Sequence, residues 1–196
     1  MIRLDNITKA YGDHTVLHDL SLNVNDGEHI AIMGKSGKGK TTLLRIIANL
    51  ETPDSGTVSG FTQEDISYVF QESRLFDHLT VLDNVAAVCD RPLKEARMEA
   101  IKYLDAVGLL DSAQLYPDEI SGGMAQRVAI VRALIRNTPI LLMDEPFSAL
   151  DNTTKNAMLL LLSDLCRDKT LIIVTHDPFD AEMIAKRIID LDCISE

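Results

Sequence analysis

The chain has 196 residues, 46% of them hydrophobic and 25% charged, with a formal net charge of -11 at neutral pH. That length and balance suit one folded domain with a buried core. The acidic excess leaves no surplus of Lys and Arg to neutralise a nucleic-acid backbone, which excludes nucleic acid as the main partner; small anionic nucleotides, needing only a local positive site, stay open.

No apolar run approaches the roughly 18 residues that span a bilayer. The opening "MIRLDNITKAYG" carries charges where a signal peptide has its apolar core. The expectation is residence in the cytoplasm. Cys89, Cys166 and Cys193 show no metal-ligand spacing and read as reduced, buried thiols.

In chain order, "IRLDNITKAY" and "TVLHDLSLNV" alternate apolar and polar residues, as half-buried strands do. Asp26-Gly27 turns the chain into "EHIAIM", a short apolar strand that ends at Gly34. A helix is expected over "TTLLRIIANL", then a turn at Pro53-Asp54-Ser55-Gly56 and two short strands, "GTVSG" and "ISYVF". From about 71 to 137 the pattern is helical. In "PLKEARMEAIKYLDAVGL" the period places Leu93, Ala96, Ala100, Ile101, Leu104 and Val107 on one face, with Gly108 as the C-cap. Strand-like runs return as "ILLMD", "LIIV" and "RIIDL", separated by helices. Such alternation implies an α/β fold with a mostly parallel sheet and crossover helices. The helical block, about 71–137, interrupts a core of 1–70 and 138–196.

Residues Gly34 to Thr41, "GKSGKGKT", match the P-loop pattern G-x-x-x-x-G-K-[ST] between a strand and a helix. Gly34, Gly37 and Gly39 let the backbone curl so that its N–H groups converge on a phosphate. Lys40 reaches the β- and γ-phosphates of a nucleotide, Thr41 offers a hydroxyl to Mg²⁺, and Lys35 and Lys38 add positive charge. In "ILLMDEP" four apolar residues precede two acids. On a buried parallel strand, acids belong where the strand emerges at its C-terminal edge. Asp144 is placed to hold Mg²⁺ and Glu145 to orient or deprotonate an attacking water. His176 in "VTHDP" emerges at the same edge, a structural histidine being the alternative. Gln71 in "YVFQE" is a polar residue at a strand end, where a plain surface glutamine is the alternative.

"ISGGMAQR", 120 to 127, is a second arrangement of bare N–H groups at a helix start. One chain has use for two phosphate binders if two copies face each other, with Ser121, Gly122 and Gly123 of one closing over the P-loop of the other.

Taken together these motifs resemble the ATP-binding subunits of ABC transporters, over essentially the whole chain. The resemblance implies a P-loop NTPase core with an antiparallel β lobe and the helical insertion, all one domain over 1–196. It implies ATP and Mg²⁺ as ligands, Tyr11 stacked on adenine, phosphates held by residues 34 to 42 (Ser36 and Thr42 included), and Gln71 as the Q-loop residue beside the metal and the reacting water. It makes "ISGGMAQR" the signature motif, "SALD" at 148 to 151 the D-loop and His176 the switch histidine. Ile120 and Met124 depart from the family's usual Leu and Gln, while the Ser and both glycines remain. The resemblance further implies transmembrane permease subunits, a second copy or paralogue, and a location on the cytoplasmic face of the membrane. "VFQESRLFDHLTVLDNV" is similar to the nitrate, sulfonate, taurine and thiamine-type importers, and the end soon after "RIIDL" implies no regulatory extension. A substrate-binding protein then belongs to the same system. Leu75, Phe76, Leu79 and Val81 are candidates for the permease contact, with packing inside the lobe as the alternative. An exporter ATPase and a soluble ABC-type assembly ATPase remain the other readings. A P-loop kinase is excluded by the signature and D-loop.

Overall fold

The computed structural model describes residues 1–194. Strands β1 (Ile2–Tyr11) and β2 (His14–Val24) form an antiparallel hairpin, turned by Gly12 at φ +58°. After β3 (His29–Met33) and helix α1 (Lys40–Ile47), β4 (Ser55–Ser59) pairs antiparallel with β1. Strand β5 (Ile66–Val69) leads into three helices, α2 (Val81–Ala86), α3 (Leu93–Ala106) and α4 (Gly122–Ile135), which pack on one another. The chain then runs β6 (Ile140–Asp144), α5 (Asn152–Leu165), β7 (Thr170–Val174), α6 (Pro178–Ile184), β8 (Arg187–Asp190) and α7 (Leu191–Ile194).

The parallel pairings gather in one five-stranded sheet of order β5-β6-β7-β3-β8, and the antiparallel ones in a separate sheet of order β2-β1-β4. Alternate residues of the parallel strands bury into two cores. Ala31, Leu141, Met143, Leu171 and Ile173 face the helical block and α5. Ile30, Ile32, Leu142, Ile172 and Val174 face α1 and the antiparallel sheet. A strand covered on both sides must be apolar at every position, which explains the unbroken "ILLM". Among the described residues no helix is long and apolar enough to cross a membrane.

Helix α3 buries a narrower stripe than its period suggests. Ala96, Ala100 and Leu104 are buried, but Leu93 and Ile101 are exposed. Leu93 overhangs in the first turn, and Ile101 follows Ala100 and so sits roughly 100° round the helix. Small residues on the stripe let α3 approach its neighbours closely, and that leaves its flanks outside. The helix ends with Val107 as C-cap and Gly108 one step beyond at φ +68°. Leu109 N–H donates to Leu104 O (2.8 Å) and Gly108 N–H to Asp105 O (3.0 Å), the paired bonds of a left-handed helix stop. The three cysteines are free, but only Cys166 is buried; Cys193 is exposed and Cys89 half-buried. Burial pushes the Cys166 thiol up to about 11, which keeps it protonated and inert.

Asn84, on α2, is fully buried and holds the preceding loop. Its Oδ1 accepts the Phe76 N–H (2.8 Å), and its Nδ2 donates to the carbonyls of Phe76, Leu79 and Thr80 at 3.0–3.1 Å. Asn84→Ala leaves those groups without partners inside protein. Urea denaturation is expected to show a loss of about 2 kcal/mol, and a loss within error of zero would mean that water replaces the amide.

Candidate functional site

Strand β7 lies between β6 and β3, with Asp144 in register with Val174 and Val174 with Ile32. The ends of three neighbouring strands therefore meet at one sheet edge. Gly34 stands two residues past Ile32, Glu145 follows Asp144, and His176 stands two past Val174. A cleft of about 560 Å³ opens there, walled by residues of the 34–42 loop, Tyr11 and Val16, Gln71, Glu145, Ser148 and His176.

The loop is shaped by glycine. Gly37 and Gly39 sit at φ +84° and +82°, and Gly39 is the N-cap of α1. The Lys40 ammonium donates to Gly34 O (2.7 Å) and Lys35 O (3.0 Å), bracing the loop from inside. Lys35 lines the cleft, and its backbone N–H donates to Asp192 Oδ2 (3.1 Å); Lys38 is not in the lining, and its ammonium lies 3.8 Å from the same carboxylate. Tyr11 is half exposed at the far wall; its hydroxyl donates to Glu51 and lies 3.5 Å from Thr42 Oγ1.

Thr41 Oγ1 donates to Asp144 Oδ1 at 3.0 Å. Asp144 is buried at the strand end, and burial raises its pKa against the pull of the Thr41 hydroxyl and the Arg45 charge. Its carboxylate opens on an adjoining cavity of about 410 Å³, which Gln71 and Ser148 share with the main cleft. Beside it, Glu145 has a left-handed backbone, φ +46°. Its N–H donates to Val174 O (2.9 Å), and its carbonyl accepts the Ser148 N–H (3.3 Å) and Oγ (3.1 Å). A non-glycine residue held there by three bonds is strain kept at a site. Glu145 Oε2 lies 2.8 Å from His176 Nδ1, so with the carboxylate as acceptor the ring proton is on Nδ1. The Glu145 side chain is 15% exposed and that of His176 72%, a half-buried acid beside an exposed ring.

Gln71 is exposed two residues past β5, on a segment clamped by α4. Gln126 Nε2 donates to Phe70 O (3.3 Å), Arg132 donates to the carbonyls of Ser73 and Arg74 (both 3.0 Å), and the Arg74 guanidinium lies 4.0 Å over the Phe70 ring. Sequence reasoning missed Arg132 and Asn84, and it placed Ser148 and Gln126 in the D-loop and signature segments without the bonds they make to the Glu145 and Phe70 carbonyls. Side chains that bond loop carbonyls leave no periodic or motif signal.

A model of the family described as "ABC transporter" matches residues 17–148. The aliphatic sulfonates import ATP-binding protein SsuB 1 of Agrobacterium fabrum is 44% identical over 191 residues, 95% of this chain and 69% of that protein. The glutamine transport ATP-binding protein GlnQ of Geobacillus stearothermophilus is 40% identical over 210 residues, 98% and 87% of the two chains. The chain is an ATP-binding cassette of the ABC transporter family. In structure the cassette is similar to a dimeric, post-hydrolysis form of the ATP-binding cassette MJ0796 bound to ADP and Pi, with a TM-score of 0.89 and 36% identity over 97% of this chain and 94% of that one. It is an ATPase domain of that family.

The signature segment of the cassette takes no part in its own cleft. Ser121 caps α4, its Oγ accepting the Met124 N–H at 3.2 Å, so Met124 contributes a backbone donor whatever its side chain. A Cβ on Gly122 would meet open space, whereas one on Gly123 would meet Ala149 O at 3.0 Å, so Gly123 packs on the D-loop. Of the apolar candidates after Gln71, Phe76 is exposed, Leu75 and Leu79 are half-buried, and Val81 is buried in the lobe.

Proposed function

We propose that this cassette is the ATP-hydrolysing subunit of an importer for a small solute, working as a head-to-tail pair with a second copy or a paralogue. One observation carries the reading. Lys40, Thr41 and the Glu145–His176 pair line one cleft, with Asp144 bonded to Thr41 from the adjoining cavity, and Ser121, Gly122 and Gly123 of the same chain contribute nothing to it. A second chain is needed to bring those three residues over the phosphates. The importer reading is supported by relatives named for aliphatic sulfonates import and glutamine transport.

In this reading residues 34 to 42 wrap the phosphates with backbone N–H groups, Lys40 adds its charge and Tyr11 stacks on the base. The donor set at the sheet edge fits a hard cation such as Mg²⁺, because Thr41 and Asp144 offer oxygen only and among the described residues no His, Cys, Asp and Glu cluster forms a closed cage. Bound by Thr41 and Asp144, with Gln71 beside them, such an ion neutralises charge on the phosphates. Glu145 holds and deprotonates the attacking water, and His176 keeps Glu145 oriented through Nδ1 while Nε2 faces the γ-phosphate. The domain runs over 1–196, its helical lobe of about 71–137 presenting the exposed ring of Phe76 to a permease subunit. Through that permease it sits on the cytoplasmic face of the membrane, served by a substrate-binding protein.

Lys40→Ala is expected to weaken ATP binding about 10- to 100-fold by equilibrium titration, the worth of a charged hydrogen bond and its neighbours; undiminished affinity would remove Lys40 from the phosphate site. The reading as a whole is tested by purifying the tagged chain from gently solubilised native membranes. A multi-span permease is the expected companion, with a substrate-binding protein for import. Recovery only from the soluble fraction, with soluble partners, would overturn transport and leave the ATP site intact.

A further inference from the structure

Lys155 lies one helical turn into α5 from Asp151, whose carbonyl accepts its N–H at 2.8 Å. Asp151 itself caps that helix, taking the N–H groups of Thr153 and Thr154 at 3.0 Å. The Lys155 side chain crosses to the next layer. Its ammonium lies 2.9 Å from Asp180 Oδ1 on α6 and donates to Asp177 Oδ2 in the loop before it. Lys155 is 12% exposed and Asp180 6%.

Asp177 is the residue after His176, and every polar group it has is used. Its Oδ1 caps α6 by accepting the Phe179 N–H (2.9 Å), its N–H donates to Thr175 Oγ1 (3.1 Å), and its Oδ2 takes Lys155. On the other side of His176, the Thr175 N–H donates to Ile32 O at 3.3 Å. Among the described residues, Lys155 is the cation paired with either acid. The Lys155 hydrogen bond is the chief cause holding Asp177 below the usual carboxylate range, so the pair stays charged.

A largely buried set of charges is a weak way to gain stability, since well-packed apolar side chains do as well or better. What it supplies is a fixed geometry. Resting on the hydrolytic reading above, we infer that Lys155 is a positioning residue for hydrolysis, tying the 175–177 loop, and with it the His176–Glu145 hydrogen bond, to the D-loop end of α5. The D-loop segment and the switch histidine then move as one body, and displacement of that body shifts His176 off Glu145.

The competing explanation is that the charges merely glue α5 to α6. Two variants separate the two. Lys155→Met with Asp180→Asn removes the ammonium together with its most buried partner, and Asp177→Asn keeps a good helix cap while losing the charge. In the full chain, ATP turnover and the affinity for a fluorescent ATP analogue are measured together. Both variants are expected to bind the analogue as the native chain does and to turn over ATP about 10- to 100-fold more slowly, the effect of misplacing a catalytic group by about 1 Å. Lys155→Arg is expected to keep most of the turnover. Native turnover in Asp177→Asn or in the folded double variant would overturn the inference, as would parallel loss of affinity and turnover, or an Arg variant as slow as Asp177→Asn. A native chain that hydrolyses no ATP would instead sink the reading on which it rests.

Discussion

Glu145→Gln is expected to lower ATP turnover by at least about 100-fold, the usual contribution of a positioned general base, and to leave ATP affinity unchanged. The substitution is close to a single-atom change. Glutamine has the same shape, tolerates the φ of +46° no worse, and keeps the backbone bonds to Val174 and Ser148. Its amide oxygen still accepts from His176 Nδ1, so the ring need not move. What is lost is the base positioned at the cleft. Because the carboxylate is beside His176 and not among the phosphate donors of the 34–42 loop, binding should survive. A pair closed by ATP and reopened by hydrolysis then has no exit, and the variant should run as a dimer on size exclusion with ATP and Mg²⁺, where the native chain does not. Turnover within about threefold of native would assign the base to another residue.

How the site is assembled shows what a sequence can carry. Strand β6 was legible because a strand covered on both faces has to be apolar throughout, so the first acids mark its end. The P-loop was legible because curling a backbone around a phosphate needs glycine at fixed positions. The Glu145–His176 bond was not: 31 residues separate the two, and only the placing of β7 beside β6 joins them. Strands as alike as "LLM" and "LIIV" carry no label for their neighbours. The same holds for Lys155, which reads as a solvated lysine on an amphipathic helix until α6 is laid beside it. The exposed Leu93 and Ile101 mark another limit, since periodicity gives the direction of a helix face but not how wide a stripe its neighbours cover. For the signature segment the sequence suggested a second phosphate binder, and in a single chain those residues lie off the cleft, as the proposed head-to-tail pair requires.

The P-loop glycines give the sharpest structural test, because two of them share a backbone conformation and differ in surroundings. At Gly37, φ +84°, an added Cβ meets nothing within 4 Å. At Gly39, φ +82°, it would lie 2.8 Å from Val16 O and 2.9 Å from Leu17 Cδ2. Alanine at either position incurs the left-handed strain of an L-residue, about 1–2 kcal/mol. Gly39→Ala must in addition push the loop off β2, and overpacking of that kind costs about 1–3 kcal/mol more. Leu17 can yield by rotating; the Val16 carbonyl is backbone and cannot without disturbing the β1–β2 hairpin. The loop is the softer element, and moving it carries away Lys40 and Thr41, the next two residues. Gly39→Ala is therefore expected to lose roughly 2–5 kcal/mol of stability and measurable ATP binding with it, while Gly37→Ala loses about 1–2 kcal/mol and still binds. Thermal unfolding with and without ATP reads both quantities at once. Equal effects at the two positions would mean that backbone conformation alone shapes the loop, and that its seat against β2 has no part in holding the phosphate cradle open.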